Sequence, residues 1–259
     1  MEQVELGWNE FWAEIFRVKH RRSIQGIQHY DKMVVDFCVE VLGLKKNDKL
    51  LDIACGAGDQ SVEFAKLGLN VTAFDISERL IEFAKECGTD FGVSVNFFTG
   101  DMLKMSFENQ FNGAVLLSHS FGFFDHAENE RVLMDAHKAL KDSGCLLLDL
   151  MNPYNIPRFQ KIWTLLEGGY LLNEPHLLDA PAGVLRGRPA TFIDTVNDRI
   201  VLMDEDALSN NDIRMYTALE IRTMLEDAGF QKVEFYGQNK LPRMQYSSDS
   251  ERMVVLAHK

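Results

Sequence analysis

Apolar residues along this chain change their spacing repeatedly, from the stripe of a helix face to near-continuous runs and back, and Gly, Pro and Asn mark the changes. Phe11, Trp12, Ile15 and Phe16 recur at helical spacing and predict a short amphipathic helix with an aromatic face. Met33, Val34, Phe37, Cys38, Val41 and Leu42 repeat the pattern in a second helix that Gly43 stops. Lys49 to Ala54 (KLLDIA) then predicts a buried strand, Asp59 to Leu67 a helix, and Asn70 to Asp75 a second strand. Ser77 caps a helix carrying Leu80, Ile81, Ala84 and Cys87, with Gly88 as its expected stop. Val93 to Phe98 and Asn112 to Ser118 predict two more strands, Glu128 to Lys141 a helix, and Cys145 to Leu150 (CLLLDL) a fifth strand. Apolar strands separated by helices belong to a parallel sheet covered on both faces, and right-handed crossovers make such a sheet doubly wound.

Between Asn152 and Met215 the alternation fails. Pro153, Pro157, Pro175, Pro181 and Pro189 interrupt the segment, while 170–178, 184–194 and 198–206 look like short antiparallel strands with a turn at Asn197-Asp198. Regularity returns with a helix over Thr217 to Ala228, stopped by Gly229, and with two last strands, Lys232 to Tyr236 and Met253 to Ala257. The expected organisation is α/β: a mostly parallel, seven-stranded, doubly wound sheet domain from 49–151 and 216–259, preceded by N-terminal helices over 1–48 able to serve as a lid. An antiparallel cap over 152–215 is inserted after the fifth strand, and a connection of that length is usually functional.

Composition excludes several classes. The chain has 259 residues, 46% of them hydrophobic and 25% charged, which suits a globular protein able to bury a large core. Lys and Arg number 27 against 39 Asp and Glu, a net charge of −12, so nucleic acid is not an expected partner. The basic run from Lys19 to Arg22, broken by His20, reads as a solvated helix face. The acidic start has neither the basic nor the apolar part of a signal peptide, and no apolar run approaches the roughly 18 residues of a membrane span. The expectation is a cytoplasmic monomer or homodimer with a small-molecule substrate and no membrane partner. Cys38, Cys55, Cys87 and Cys145 contain no CxxC pair, which predicts reduced, buried thiols and no metal site.

Candidate chemistry lies in Asp52-Ile53-Ala54-Cys55-Gly56-Ala57-Gly58, where a buried strand turns into a helix. The glycines permit a tight turn and a close backbone approach to a ligand, and the helix start offers free N–H groups to a polar group. A dinucleotide fingerprint requires a third glycine where this chain has Ser61. Instead, Asp52 precedes the loop, Asp75 ends the second strand, and Gly100-Asp101-Met102 follows the third. This ordered set resembles the class I S-adenosylmethionine-dependent methyltransferases from about Lys49 to Asn152. The resemblance implies S-adenosylmethionine as cofactor, with Asp52, Ala54, Gly56 and Gly58 around its methionine part, Asp75 and Ile76 at the ribose, and Gly100, Asp101 and Met102 at the adenine. Tyr30 is implied at the methionine end, and Ser118 in the loop after the fourth strand.

The segment from Leu117 to Phe124 (LSHSFGFF) is similar to the corresponding segment of small-molecule methyltransferases, including the aminosugar N-methyltransferases. It faces the glycine loop across the topological switch point, where open α/β sheets bind ligands. His119 stands there either as a base that deprotonates an acceptor hydroxyl or as a histidine hydrogen-bonded to backbone beneath the cofactor. Trp12, Phe16, Phe123, Asn152, Tyr154 and Tyr170 are the candidate substrate contacts. Asn152-Pro153-Tyr154 follows the fifth strand rather than the fourth, which argues against the N-P-P-Y motif of amino methyltransferases, and Arg186 and Arg188 read as a solvated hairpin. The expected activity is direct displacement of a methyl group onto O or N of a small metabolite or natural product. The competing readings are a nicotinamide-dependent oxidoreductase and a cofactor-binding protein without turnover.

Overall fold

Helix and strand in this protein follow the predicted order, with additions at the N-terminus and in the insertion. The computed structural model describes residues 1–22, 26–156, 162–166, 168–174, 177–187, 189–204 and 212–259, with side chains described except at 16–22, 26–29 and 162. The first elements are β1 (Glu2–Leu6), α1 (Trp8–Arg22), α2 (Gly26–Leu42), β2 (Lys49–Ile53), α3 (Asp59–Lys66), β3 (Asn70–Asp75), α4 (Glu78–Asp90) and β4 (Asn96–Thr99). A 3-10 turn (Met102–Lys104), β5 (Phe111–Leu116), α5 (His126–Ala139) and β6 (Leu140–Met151) follow. The insertion carries β7 (Ile162–Leu166), β8 (Gly169–Asn173), β9 (Leu177–Asp179), β10 (Val184–Arg186), β11 (Ala190–Asp194), β12 (Arg199–Met203) and β13 (Ile213–Arg214). The chain closes with α6 (Ala218–Asp227), β14 (Lys232–Tyr236) and β15 (Arg252–His258).

These elements form two compact units, Met1–Gln25 with Pro157–Met215, and Gly26–Ile156 with Tyr216–Lys259. The larger unit holds a seven-stranded sheet in the order β14-β15-β6-β5-β2-β3-β4. β15 runs antiparallel to both its neighbours and the other pairs are parallel. Alternate residues of each strand serve opposite faces. Leu50, Ala73, Val115 and Leu147 join Phe37 of α2, Phe64 of α3 and Ile81 of α4 in one core layer. Leu51, Leu116, Leu146 and Leu148 join Val132 and Leu133 of α5 and Ile221 and Leu225 of α6 in the other. β2 starts the sheet at its centre, β3 and β4 extend it one way, and β5 lies on the other side, so the order of strand addition reverses between β2 and β5.

Several boundaries depart from expectation, among them the start of β4, at Asn96 rather than Val93. Gly88 does not stop α4; the helix runs to Asp90 and turns at Gly92, whose φ of 65° is the left-handed stop. Gly88 instead packs against Phe97. α5 ends at Ala139 because Leu140 is already extended, so β6 begins there without a connecting loop. The N-terminal helices also divide between the units: α2 contributes Val34, Phe37 and Cys38 to the sheet core, whereas α1 packs elsewhere.

The smaller unit contains a five-stranded sheet, β1-β12-β11-β8-β7, and a three-stranded sheet, β13-β10-β9. β1, absent from the sequence expectation, pairs parallel with β12 from Glu2 opposite Arg199 to Leu6 opposite Met203. Phe11 and Ile15 of α1 pack on Leu171, Phe192, Val201 and Met203. Arg199 ties helix to hairpin, reaching Glu14 at 3.0 Å and Asp194 at 2.9 Å, both carboxylates being buried. The turn at Asn197-Asp198 is present, organised by the Asp194 carboxylate accepting from the Val196 and Asn197 N–H groups. All four cysteines are buried free thiols. No helix among the described residues is long and apolar enough to cross a membrane, and no His, Cys, Asp and Glu group among them is arranged to hold a metal ion.

Candidate active site

The carboxyl ends of β2, β3 and β5 gather the expected ligand residues of the larger unit. After β2 the backbone passes through three left-handed residues, Ala54, Gly56 and Gly58, with φ of 57°, 56° and 78°. Gly58 is the N-cap of α3, and no side chain caps that helix. A Cβ at Gly58 would lie 2.8 Å from both Ala84 of α4 and the Phe97 ring of β4, whereas one at Gly56 would meet nothing within 4 Å. The loop is thus pressed into the core at one glycine and open at the other.

Beneath it, Asp52 is 3% exposed and accepts from the hydroxyl of fully buried Ser61. Burial pushes the Asp52 carboxyl up to about 7; the Ser61 hydrogen bond lowers it and the neighbouring Asp75 charge raises it further. Ser61, which departs from the dinucleotide fingerprint, is therefore the partner that allows an acid to lie under the turn. Asp52 meets the core and Ser61 rather than the open side of the loop.

Asp75 closes β3 with its carboxylate held by backbone alone: Oδ2 accepts from Gly56 N–H at 2.9 Å and Oδ1 from Ser77 N–H at 3.0 Å. Burial raises its pKa, and those backbone donors oppose the rise. The carboxylate keeps acceptor capacity beyond these backbone bonds, which suits a ribose hydroxyl. Ile76 beside it is 57% exposed, an apolar surface at the strand end suited to a flat ring. Gly100 follows β4, donates its N–H to the Asp75 carbonyl at 2.9 Å, and lies over the stacked Phe74 and Phe98 rings, where a Cβ would come within 3.1 Å of each. Asp101 caps the 3-10 turn carrying Met102, accepting from Leu103 N–H at 2.9 Å and pairing with Lys104 at 3.1 Å. Slight burial opposes its ionisation, but the Leu103 and Lys104 contacts prevail and its pKa lies below the usual value. A cradle of left-handed glycines, a backbone-held carboxylate and an exposed aliphatic residue together fit an adenosyl group.

The loop after β5 carries a cluster that the sequence does not announce. Ser118 and His119 are consecutive non-glycine residues with φ of 53° and 66°, a conformation that persists only when neighbours enforce it. Asp149 of β6 is the enforcer: its carboxylate accepts from Ser118 N–H at 3.3 Å and its carbonyl from His119 N–H at 3.0 Å. Arg252 donates to both Asp149 oxygens at 2.9 Å, and Asn239 donates to one at 3.1 Å. The Tyr30 hydroxyl accepts from Arg252 and from Asn239, each at 3.2 Å. Tyr30 is 41% exposed, so its ring is available at this end of the sheet.

The remaining candidates scatter. Asn152 is 1% exposed; its amide nitrogen donates to the Ser247, Ser248 and Ser250 carbonyls while its oxygen accepts from Tyr154 N–H and the Tyr246 hydroxyl. Those bonds make it a tether for the 247–250 loop and leave no face for a substrate. Tyr154 is exposed and Phe123 half-buried, while Phe121 is buried against Tyr216. Trp12 and Tyr170 belong to the smaller unit, Trp12 packing edge-on to Phe11 and Tyr170 exposed on β8. Arg186 bridges Asp179 and Asp212. The side chains of Phe16 and of Lys19 to Arg22, and all of Arg188, lie outside the described residues.

Residues 50–144 match the family model described as a methyltransferase domain. A demethylmenaquinone methyltransferase from Chlorobaculum parvum is 24% identical over 235 residues, 90% of this chain and 79% of that protein. Among solved structures, an S-adenosylmethionine-dependent methyltransferase from Clostridium acetobutylicum aligns with a TM-score of 0.74 at 15% identity, covering 96% of this chain and 98% of the other. The sugar N-methyltransferase KedS8 from a Streptoalloteichus species aligns with a TM-score of 0.69 at 17% identity, covering 98% and 94%. At such identities the structural likeness shows the fold.

Proposed function

Because this chain belongs to the S-adenosylmethionine-dependent methyltransferases, we propose that it transfers a methyl group to an oxygen or nitrogen of a small metabolite or natural product by direct displacement. Bound S-adenosylmethionine supplies an electrophilic methyl on a sulfonium sulfur. Asp75 accepts from the ribose hydroxyls, Ile76 and Met102 flank the adenine, Asp101 accepts from its amino group, and the open side of Gly56 admits the methionine part. Tyr30 and Ser118 complete the methionine end, and Phe123 and Tyr154 are the acceptor contacts to test first in the larger unit.

The observation that carries this reading is the Asp75 carboxylate, backbone-held beside the open glycine. A carboxylate there has capacity for a ribose hydroxyl and no cationic partner among the hydrogen bonds that hold it. Transfer then needs the nucleophile in line at about 3–3.5 Å, which positioning alone can accelerate strongly. A neutral amine attacks unaided, whereas a hydroxyl gains from a base. A quinol acceptor is the second reading, favoured by the relatedness to a demethylmenaquinone methyltransferase. Incubating the protein and S-adenosylmethionine with amines, phenols, alcohols and quinols, and following S-adenosylhomocysteine with product mass and NMR, separates the two. An N- or O-methyl product is expected; a carbon-methylated quinol as the product would overturn the assignment.

A further inference from the structure

The expected base role does not suit the surroundings of His119. Arg252 Nη1 lies 3.1 Å from His119 Nε2. A guanidinium only donates, so Nε2 is the accepting nitrogen and the ring proton resides on Nδ1. Nδ1 is buried and has no hydrogen-bond partner among the described residues. A base needs a lone pair directed at the acceptor; here one ring nitrogen accepts from a cation and the other already bears hydrogen. Burial, the largest influence, pushes the imidazole down to about 4, Asp149 works against it, and Arg252 adds to it. From α2, Tyr30 faces Arg252, and the Cys38 thiol is kept neutral by burial and by the Asp149 and Asp52 charges.

We propose that Asp149, Arg252 and Asn239 are positioning residues that fix His119 as a neutral imidazole with its proton on the buried Nδ1, which removes it as a general base. The chain of support runs through the sheet: Asn239 and Arg252 hold Asp149, Asp149 holds the left-handed backbone at Ser118 and His119, and Arg252 sets the tautomer. Two strands supply the parts, Asp149 pairing with Val254 across the β6–β15 register, so that Arg252 enters two residues away on the same face. The consequence for transfer rests on the reading of this end of the sheet as the transfer site, while the tautomer does not.

Long-range proton–nitrogen NMR on the full chain with ¹⁵N-labelled histidine reads tautomer and protonation without cofactor or acceptor. His119 is expected as the Nδ1–H form, uncharged from about pH 8 to about pH 5, well below the ordinary histidine range. Arg252→Met should raise the His119 pKa, by less than burial lowers it, since it removes a repelling cation and leaves Asp149 facing the ring. Arg252→Lys, which restores a cation and donor, should bring it back down. An Nε2–H tautomer or an ordinary pKa in the unaltered protein would overturn the proposal, and that spectrum decides even where a variant fails to fold. An unchanged His119 signal in folded Arg252→Met would overturn the role of Arg252. S-adenosylhomocysteine production alongside an Nε2–H tautomer would sink this proposal and leave the transfer reading intact; the expected tautomer with transfer only to a quinol carbon would do the reverse.

Discussion

Gly56 and Gly58 look interchangeable in the sequence, and alanine at each should separate stability from binding. At Gly58 the backbone is left-handed, which costs an alanine about 1 kcal/mol. Its methyl group would also lie 2.8 Å from Ala84 Cβ, an atom fixed to the α4 backbone, and 2.8 Å from the buried Phe97 ring. Overpacking of that kind adds about 1–3 kcal/mol, for a total of about 2–4. In a protein of this size about 1 kcal/mol lowers Tm by about 2–4 °C, so Gly58→Ala should melt about 4–16 °C below the unaltered chain. Gly56→Ala carries only the conformational penalty, since its methyl meets nothing within 4 Å, and should melt within about 4 °C. Its methyl nevertheless stands on the open side of the loop, next to the N–H that holds Asp75. S-adenosylhomocysteine should therefore bind about tenfold more weakly or worse, a loss of about 1.4 kcal/mol by titration calorimetry. Equal melting of the two variants would refute the packing argument, and unchanged affinity in Gly56→Ala would refute the assignment of the open side to the ligand.

Three further outcomes are expected. Asp75→Ala should weaken S-adenosylhomocysteine binding about 30-fold, equivalent to about 2 kcal/mol for hydrogen bonds to a charged group, and an unchanged Kd in the folded variant would remove the ribose assignment. Asp52 carries a carboxyl raised from 3.8 to about 7 on folding, so its contribution is complete below about pH 4 and is lost as pH rises towards 7, about 4 kcal/mol across the window. Asp52→Asn, which keeps an acceptor for Ser61, should show little change at pH 4 and a growing advantage in Tm up to neutrality; a constant difference with pH would contradict the buried ionisation. Arg199→Met should leave Glu14 and Asp194 buried without their cation, destabilising the smaller unit by about 3 kcal/mol. Limited proteolysis should then cut 1–25 and 157–215 earlier than the rest, and a digestion pattern like that of the unaltered chain would count against the tether.

The central strands of the larger sheet, β2, β5, β6 and β15, are legible in the sequence because each is buried on both faces and reads as an apolar run. The cofactor positions are legible for a related reason: Gly56, Gly58, Asp75 and Asp101 all sit at strand ends whose order the pattern reveals. β1 is not legible, since Glu2, Gln3 and Glu5 dilute its alternation and its partner lies at Arg199–Met203. The Asp149 network escapes for the same physical cause, as its members come from α2, the loop after β5, β6, the β14–β15 connection and β15 and meet only in the folded sheet. One clue was available there: a lone carboxylate inside CLLLDL demands a partner when buried. Asn152 shows the opposite failure, a polar residue beside a proline that resembles a substrate contact and is occupied by five hydrogen bonds within its own unit.

The parallel pairing of β1 with β12 bears on how the chain is made. Ribosomal synthesis releases Glu2–Leu6 well before their partners at Arg199–Met203, which emerge only after the greater part of the larger unit. Until then the N-terminal strand and the apolar face of Phe11 and Ile15 have no sheet to join, and distant pairings form late because a long loop must close first. The smaller unit is consequently not a cassette: a graft of 157–215 alone would carry β12 with a bare edge and an uncovered core, inviting association with other chains. Exchange of this unit between relatives therefore has to move two separated stretches of gene together.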